Sequence, residues 1–191
     1  MKKIFLSLIV YLTFVGNLGA EIKRIISGNF DAKITMIIYE SLTCSYCADF
    51  HKNIYPQLKK DYIDTGFVKL EFRHFPLDMA ALNASKISQC TQDQDLEILD
   101  SLYSNQKDWI KGNTVEDLNN NLKKFIQKEG FNLDIDKCLS NKEIEDFVLN
   151  DRIEGTKNFE INSTPTVIIN NKKFEKTLNY KNLKKSLEKL L

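Results

Sequence analysis

The chain has 191 residues, of which 42% are hydrophobic and 28% charged, and 27 Lys and Arg against 26 Asp and Glu leave a formal net charge of +1. This is a globular composition, long enough for one domain or one domain with an insertion. Near-neutrality excludes an electrostatic case for nucleic acid. The lysine-rich stretch from Lys172 to Lys189 is interrupted by Glu175 and Glu188 and reads as a solvated helix face.

The chain opens with Lys2-Lys3 and an apolar run from Ile4 to Val15, followed by the small residues of Asn17-Leu18-Gly19-Ala20. This is the pattern of a signal peptide over residues 1–20, with cleavage expected after Ala20; left uncleaved, the same run would anchor the chain. Either way the body is exported. Ile22 to Ile26 is a short candidate edge strand, and Gly28-Asn29-Phe30-Asp31 a turn. Ile34 to Tyr39 is nearly all apolar, as in a buried central strand, and ends in Glu40. Cys44-Ser45-Tyr46-Cys47 follows, then a helical pattern from Ala48 with Phe50, Ile54 and Leu58 as its core stripe; Pro56 should kink that helix. Phe67 to Arg73 reads as a second strand, so residues 34–73 form a β-α-β unit with parallel strands.

Residues 79–159 lose strand character. Helical periodicity runs over Met79–Cys90, Leu96–Ile110 and Val115–Glu129; Thr114 with Asp117 resembles a capping box, and Gly130 stops the third helix. Ser140 with Glu143 is expected to cap a further helix carrying Ile144, Phe147 and Val148. Thr166-Val167-Ile168-Ile169 restores a strand, Asn170-Asn171 suits a tight hairpin turn, and Lys172 to Phe174 would return. An amphipathic helix from Tyr180, with Leu183, Leu187 and Leu190, closes the chain.

The four cysteines, Cys44, Cys47, Cys90 and Cys138, can form two disulfides in an oxidising compartment, with three pairings open on paper. Only one close pair exists and neither His51 nor His74 stands at a metal-ligand spacing, so no metal is expected. A Cys-x-x-Cys pair at a strand-to-helix junction is poised for thiol–disulfide exchange. Cys44 lies where unpaired helix N–H groups and the helix dipole favour a thiolate.

Four segments carry a resemblance: Glu40 to Cys47; Phe50-His51 with Tyr55-Pro56 and Leu58; Phe72-Arg73-His74-Phe75-Pro76-Leu77; and Ser163-Thr164-Pro165-Thr166-Val167. Together they resemble the DsbA-like thiol–disulfide oxidoreductases over nearly all of the mature chain. The resemblance implies an α/β thioredoxin fold with an inserted all-helical domain. The halves would be residues 21–76 (β-α-β) and 159–191 (β-β-α), with the insert at 77–158. Cys90 and Cys138 make the chain most similar to the alphaproteobacterial branch with a second, non-catalytic disulfide, and imply a structural bridge between them. Two buried free thiols, or a bridge that regulates the active pair, are the alternatives.

The resemblance also implies roles. Cys44 would be the exposed nucleophile and Cys47 the buried resolving cysteine; the alternative is a purely structural short-loop bridge. Thr164-Pro165 would present a cis bond beside the sulfurs and offer backbone to a peptide that adds as a strand. Ser45 and Tyr46 stand where many DsbA proteins have Pro-His, so one cationic thiolate stabiliser is missing. Tyr46 would serve as a flat substrate contact or simply be a partly exposed aromatic. Glu40, costly to bury without a role, would move a proton to or from Cys47 or pair with a lysine at the strand end. His51 and His74 read as packed residues.

No cofactor is expected beyond the redox-active Cys44–Cys47 disulfide. The implied function is a monomeric periplasmic enzyme that introduces disulfides into unfolded or partly folded exported proteins and is reoxidised by a DsbB-type membrane partner. Competing functions are a disulfide isomerase or reductase, against which the short stretch before the first strand speaks, and a non-catalytic chaperone-like binding protein on the same scaffold.

Overall fold

The computed structural model describes residues 22–91 and 96–191; the signal-peptide reading of residues 1–20 falls outside them. Five strands form one sheet in the order β1-β3-β2-β4-β5. They are β1 (Ile25–Ser27), β2 (Ile34–Glu40), β3 (Val68–His74), β4 (Thr166–Ile169) and β5 (Lys172–Lys173). β2 and β3 pair in parallel with Ile34 opposite Val68 and Glu40 opposite His74. The other three pairings are antiparallel, and Asn170 and Asn171 turn β4 into β5 with φ of 45° and 63°. Two successive positive φ values are what a tight hairpin of right-handed twist needs, and asparagine tolerates them.

The two-residue period of β2 divides its side chains between two layers. Ile34, Met36 and Ile38 point into the large core, while Ile37 and Tyr39 join a smaller cluster with Phe75, Ile161 and Ile168 on the other face. Glu40 continues the first series, so its carboxylate lies on the large-core side. That side is covered by helix α1, which runs without a break over residues 45–63 and buries Cys47, Phe50, His51, Ile54, Tyr55 and Leu58. The helix starts at Ser45 rather than Ala48, with Cys44 as its N-cap residue.

Pro56 does not end this helix. Wide π turns at Phe50–Ile54 and Lys59–Ile63 flank the segment that holds it, and Ile54 takes up the distortion with φ −109°. A π turn shifts the hydrogen-bond register and so accommodates a residue that cannot donate.

Between β3 and β4 come α2 (Met79–Gln89), α3 (Leu96–Ser104), α4 (Gln106–Trp109), α5 (Val115–Lys128), α6 (Ile135–Ser140) and α7 (Lys142–Phe159); α8 (Tyr180–Leu187) closes the chain. The helix expected over 96–110 is broken at Asn105, whose side-chain amide donates to the Ser101 carbonyl; such local side-chain bonds compete with helix propagation. The Thr114–Asp117 capping box is formed, and Phe131 N–H bonds the Ile126 carbonyl past Gly130. The cap expected from Ser140 belongs instead to Asn141, whose Oδ1 accepts from Glu143 N and Ile144 N. Ser140 Oγ turns back to the carbonyls of Asp136 and Lys137. On the opposite face of the sheet, α7 crosses β2 so closely that a Cβ on Gly155 would stand 2.7 Å from the Tyr39 ring. Only glycine permits that approach.

Among the described residues no helix is long and apolar enough to cross a membrane, and no cluster of His, Cys, Asp and Glu is placed to hold a metal ion.

Candidate active site

Cys44 sits at the top of α1, half-buried, and accepts the N–H groups of Cys47 and Ala48 on its own carbonyl at 3.1 and 3.2 Å. One turn on, Cys47 is fully buried. Both are free thiols, whereas Cys90 and Cys138 are joined as a disulfide that ties α2 to α6. The Thr164–Pro165 bond is cis, and Cys44 Sγ donates to the Thr164 carbonyl at 3.4 Å. Thr164 Oγ1 is buried with no hydrogen-bond partner of its own, a donor free to meet a thiolate.

The two sulfurs are driven apart in acidity. The Cys47 thiol, hydrogen bonded to Cys44, lowers the Cys44 pKa most; burial opposes it, and the Thr164 side chain with the N–H groups of Cys47 and Tyr46 help, bringing Cys44 to about 5. Cys47 moves the other way: burial, its bond to Cys44 and the Glu40 charge all push its thiol far up. At neutral pH Cys44 is a thiolate and Cys47 a thiol, the distribution required of an attacking sulfur and a sulfur held in reserve.

Beneath Cys47 lies a buried polar group. Glu40, 2% exposed, has as its cation not a lysine but His51, whose Nε2 is 3.1 and 3.0 Å from the two carboxylate oxygens. His51 Nδ1 is 2.9 Å from Asp100 Oδ1, and Tyr103 stacks on the ring at 4.1 Å while hydrogen bonding Glu40. Burial pushes the His51 pKa down, yet Glu40 and Asp100 together lift it to about 9. His74 is also buried but turns to Gln89 at 3.2 Å, and burial lowers its pKa.

The helical block holds the cysteine loop in place. Gln106 Nε2, at the start of α4, donates to the carbonyls of Leu42 and Cys44 at 2.7 and 3.0 Å. Thr43 Oγ1 donates to Asp78, which also caps α2. Leu77 N–H donates to Ser41 Oγ at 3.3 Å, so exposed Leu77 and Met79 flank the segment that leads to the cysteines. On the cysteine loop itself Ser45 and Tyr46, 76% exposed, face solvent.

The structure therefore brings Cys44, Cys47, Ser45, Tyr46, Thr164, Pro165 and Glu40 together, and keeps Cys90–Cys138 apart in the helical block. His51 is packed, as the sequence suggests, but the sequence carries no sign of its carboxylate partners, and nothing in it singles out Asp100, Tyr103 and Gln106. His51 had a signal, since it lies four residues after Cys47 and shares its helix face; the other three come from helices remote in sequence.

A thioredoxin-family profile matches residues 20–189. A Rickettsia bellii protein with the provisional name protein-disulfide oxidoreductase is 29% identical over 162 residues, 83% of this chain, and the chain spans 61% of that protein's length. Disulfide bond formation protein D of Bacillus subtilis is 27% identical over 86% of this chain and 75% of its own. Among solved structures, alpha-DsbA1 of Wolbachia pipientis superposes with a TM-score of 0.78 at 29% identity, covering 87% of this chain and 90% of that one. With a half-buried thiol at a helix start, a buried thiol one turn on and a cis-proline beside them, the chain is a DsbA-like member of the thioredoxin family.

Proposed function

We propose that this protein is an exported, periplasmic thiol–disulfide oxidoreductase that introduces disulfides into unfolded or partly folded proteins. The observation that carries the reading is the acidity split between Cys44, brought down to about 5, and buried Cys47. A stabilised Cys44 thiolate favours the reduced enzyme, and so makes its disulfide a good oxidant.

In the oxidised enzyme a substrate thiolate attacks Cys44 Sγ. The Cys44–Cys47 bond breaks, Cys47 leaves as a thiolate and takes a proton through Glu40, and a mixed disulfide remains on Cys44. A second substrate thiolate attacks the substrate sulfur of that bond and releases Cys44 as a thiolate. The substrate has lost two electrons, the enzyme has gained them, and a DsbB-type membrane partner removes them. The cis Thr164–Pro165 bond beside Cys44 supports docking of an extended peptide as a strand, and exposed Tyr46, Leu77 and Met79 suit the apolar side chains of an unfolded chain. Lys2-Lys3 and the apolar run after them support export; residues 21–76 and 159–191 serve as the redox body and 77–158 as its helical insert.

The test is equilibration with graded glutathione buffers, trapping of thiols and reading of the Cys44–Cys47 pair by mass. A potential above about −200 mV is expected. A value near or below about −270 mV would mean a reductase or a structural bridge. The Cys44→Ala variant should lose all exchange.

A further inference from the structure

His51 is the side chain of the buried polar group that the proposed chemistry leaves unused. Its side chain is 4% exposed, yet both ring nitrogens face carboxylates: Nε2 faces both oxygens of Glu40 at 3.1 and 3.0 Å, and Nδ1 faces Asp100 at 2.9 Å. A ring with an anion on each side donates from both nitrogens and is therefore an imidazolium. Tyr103 stacks on it, Tyr55 and Phe72 pack at 5.8 and 5.5 Å, and the π turn at Phe50–Ile54 carries it inward. Asp100 is 45% exposed at its side chain. A hydrogen-bonded line of polar groups thus runs from Glu40, whose charge acts on Cys47, through His51 to a carboxylate at the surface.

We propose that His51, held by Asp100, is a positioning residue for Cys47: its positive charge and its grip on both Glu40 oxygens set the field in which the Cys47 sulfur gains and loses its proton. The inference rests on the oxidoreductase reading and on Glu40 as the proton carrier. When substrate opens the disulfide, electrons go to Cys47 Sγ and a proton taken from solvent reaches it by way of Glu40. When a mixed disulfide is resolved, the Cys47 proton passes by way of Glu40 to solvent, Cys47 attacks Cys44 Sγ and the partner leaves as a thiolate. The His51 charge offsets the carboxylates facing the nascent thiolate in both directions.

The titratable groups around the ring are Glu40 from β2, Asp100 and Tyr103 from α3, Tyr55 on its own helix, and Cys47 beyond Glu40. Burial raises both tyrosines, Tyr55 to about 12, so they stay neutral through the relevant range. His51 is charged below about 9 and loses its charge above it. Loss of the cation leaves two carboxylates opposing the Cys47 thiolate, so opening of the disulfide slows as pH rises.

The experiment is stopped-flow reduction of the oxidised protein by a small thiol between about pH 6 and 10.5, expressed per thiolate, beside an NMR titration of His51. In the wild type the rate should fall on the order of tenfold through the His51 midpoint, a one-unit effect on the leaving sulfur. Asp100→Asn is isosteric and half-exposed, so the fold should hold; with one anion gone, the His51 midpoint and the rate step should move down together by roughly one unit. A midpoint that moves while the rate step stays, a midpoint that does not move, or a wild type with no step at the midpoint would each overturn the role of His51. Glu40→Gln separates the layers: unchanged Cys47 kinetics in that variant sinks Glu40 as carrier and His51 with it. A wild type that exchanges no thiols sinks the proposed function itself.

Discussion

Acid should remove the advantage that the reduced protein draws from the Cys44 thiolate. The folded-state pKa of about 5 lies below the 9.0 of an ordinary thiol. A depressed pKa stabilises the folded reduced form fully above the unfolded value; the gain shrinks below it and is lost as pH falls through the folded value. Between pH 7 and pH 4 the change amounts to about two pKa units, or ~2.7 kcal/mol at face value. Cys44 is only half-buried, so solvent screening reduces this to about 1–2 kcal/mol. The oxidised protein carries no titrating thiol at these positions, and its other ionisable groups are shared with the reduced form. The measurement is urea unfolding of both forms at pH 7 and pH 4, reading the difference in stability between them. The reduced form should lose about 1–2 kcal/mol relative to the oxidised one on acidification. A difference independent of pH, or a thiolate absorbance that titrates near the ordinary thiol range, would refute the account of Cys44.

The remaining predictions concern the helical block. Gln106→Ala removes both hydrogen bonds that pin the Leu42 and Cys44 carbonyls; a loss of about 1–3 kcal/mol is expected by chemical denaturation, with faster amide exchange over residues 42–47. Removal of the Cys90–Cys138 bridge by paired alanines frees a sequence separation of 48 residues. On the chain-entropy account it should lower stability by up to about 4 kcal/mol, read as a shift in denaturation midpoint.

What the sequence discloses and what it withholds follow from the range of the interactions. β2 and β4 are visible because a continuous β-branched or apolar run of strand length has few other uses, and Asn170-Asn171 because positive φ selects its residues locally. The Thr114–Asp117 capping box is equally local, closing within three residues. The cap at Ser140 is misread for a subtle reason: Asn141 is one residue nearer the helix, and its shorter reach to the first N–H groups wins. How the helix takes up Pro56 is not legible, because its cost depends on whether the helix can change its register, and π turns are not announced by composition. The Cys-x-x-Cys pair and the Thr-Pro pair announce themselves as motifs, but the acidity of each sulfur is set by burial and by neighbours 120 residues away. His51 is the clearest instance. Its spacing from Cys47 is printed in the sequence, yet its charge is decided only when β2 brings Glu40 to one nitrogen and α3 brings Asp100 to the other.

The helical block therefore does more than cover one side of the sheet. Cys44 and Cys47 belong to the β-α-β part of the chain, as do Glu40 and His51, and Thr164 and Pro165 belong to the bend that leads into β4. Asp100, Tyr103 and Gln106 all come from the helices between. Gln106 fixes the backbone of Cys44, while Tyr103 and Asp100 hold the histidine that pairs with Glu40. Without these three residues the sheet and α1 would still place two thiols one turn apart. The buried pair of Glu40 and His51 would then have to hold its geometry and charge unaided, and a buried ion pair whose remaining donors lack partners is a net liability. The acidity of the sulfurs is set by burial, by Glu40 and Thr164 and by the cysteine loop itself, whereas the intervening helices hold that loop and the Glu40–His51 pair in place. On the proposed role of His51, substitutions at the α3–α1 contact should alter reactivity at sulfur without touching either cysteine.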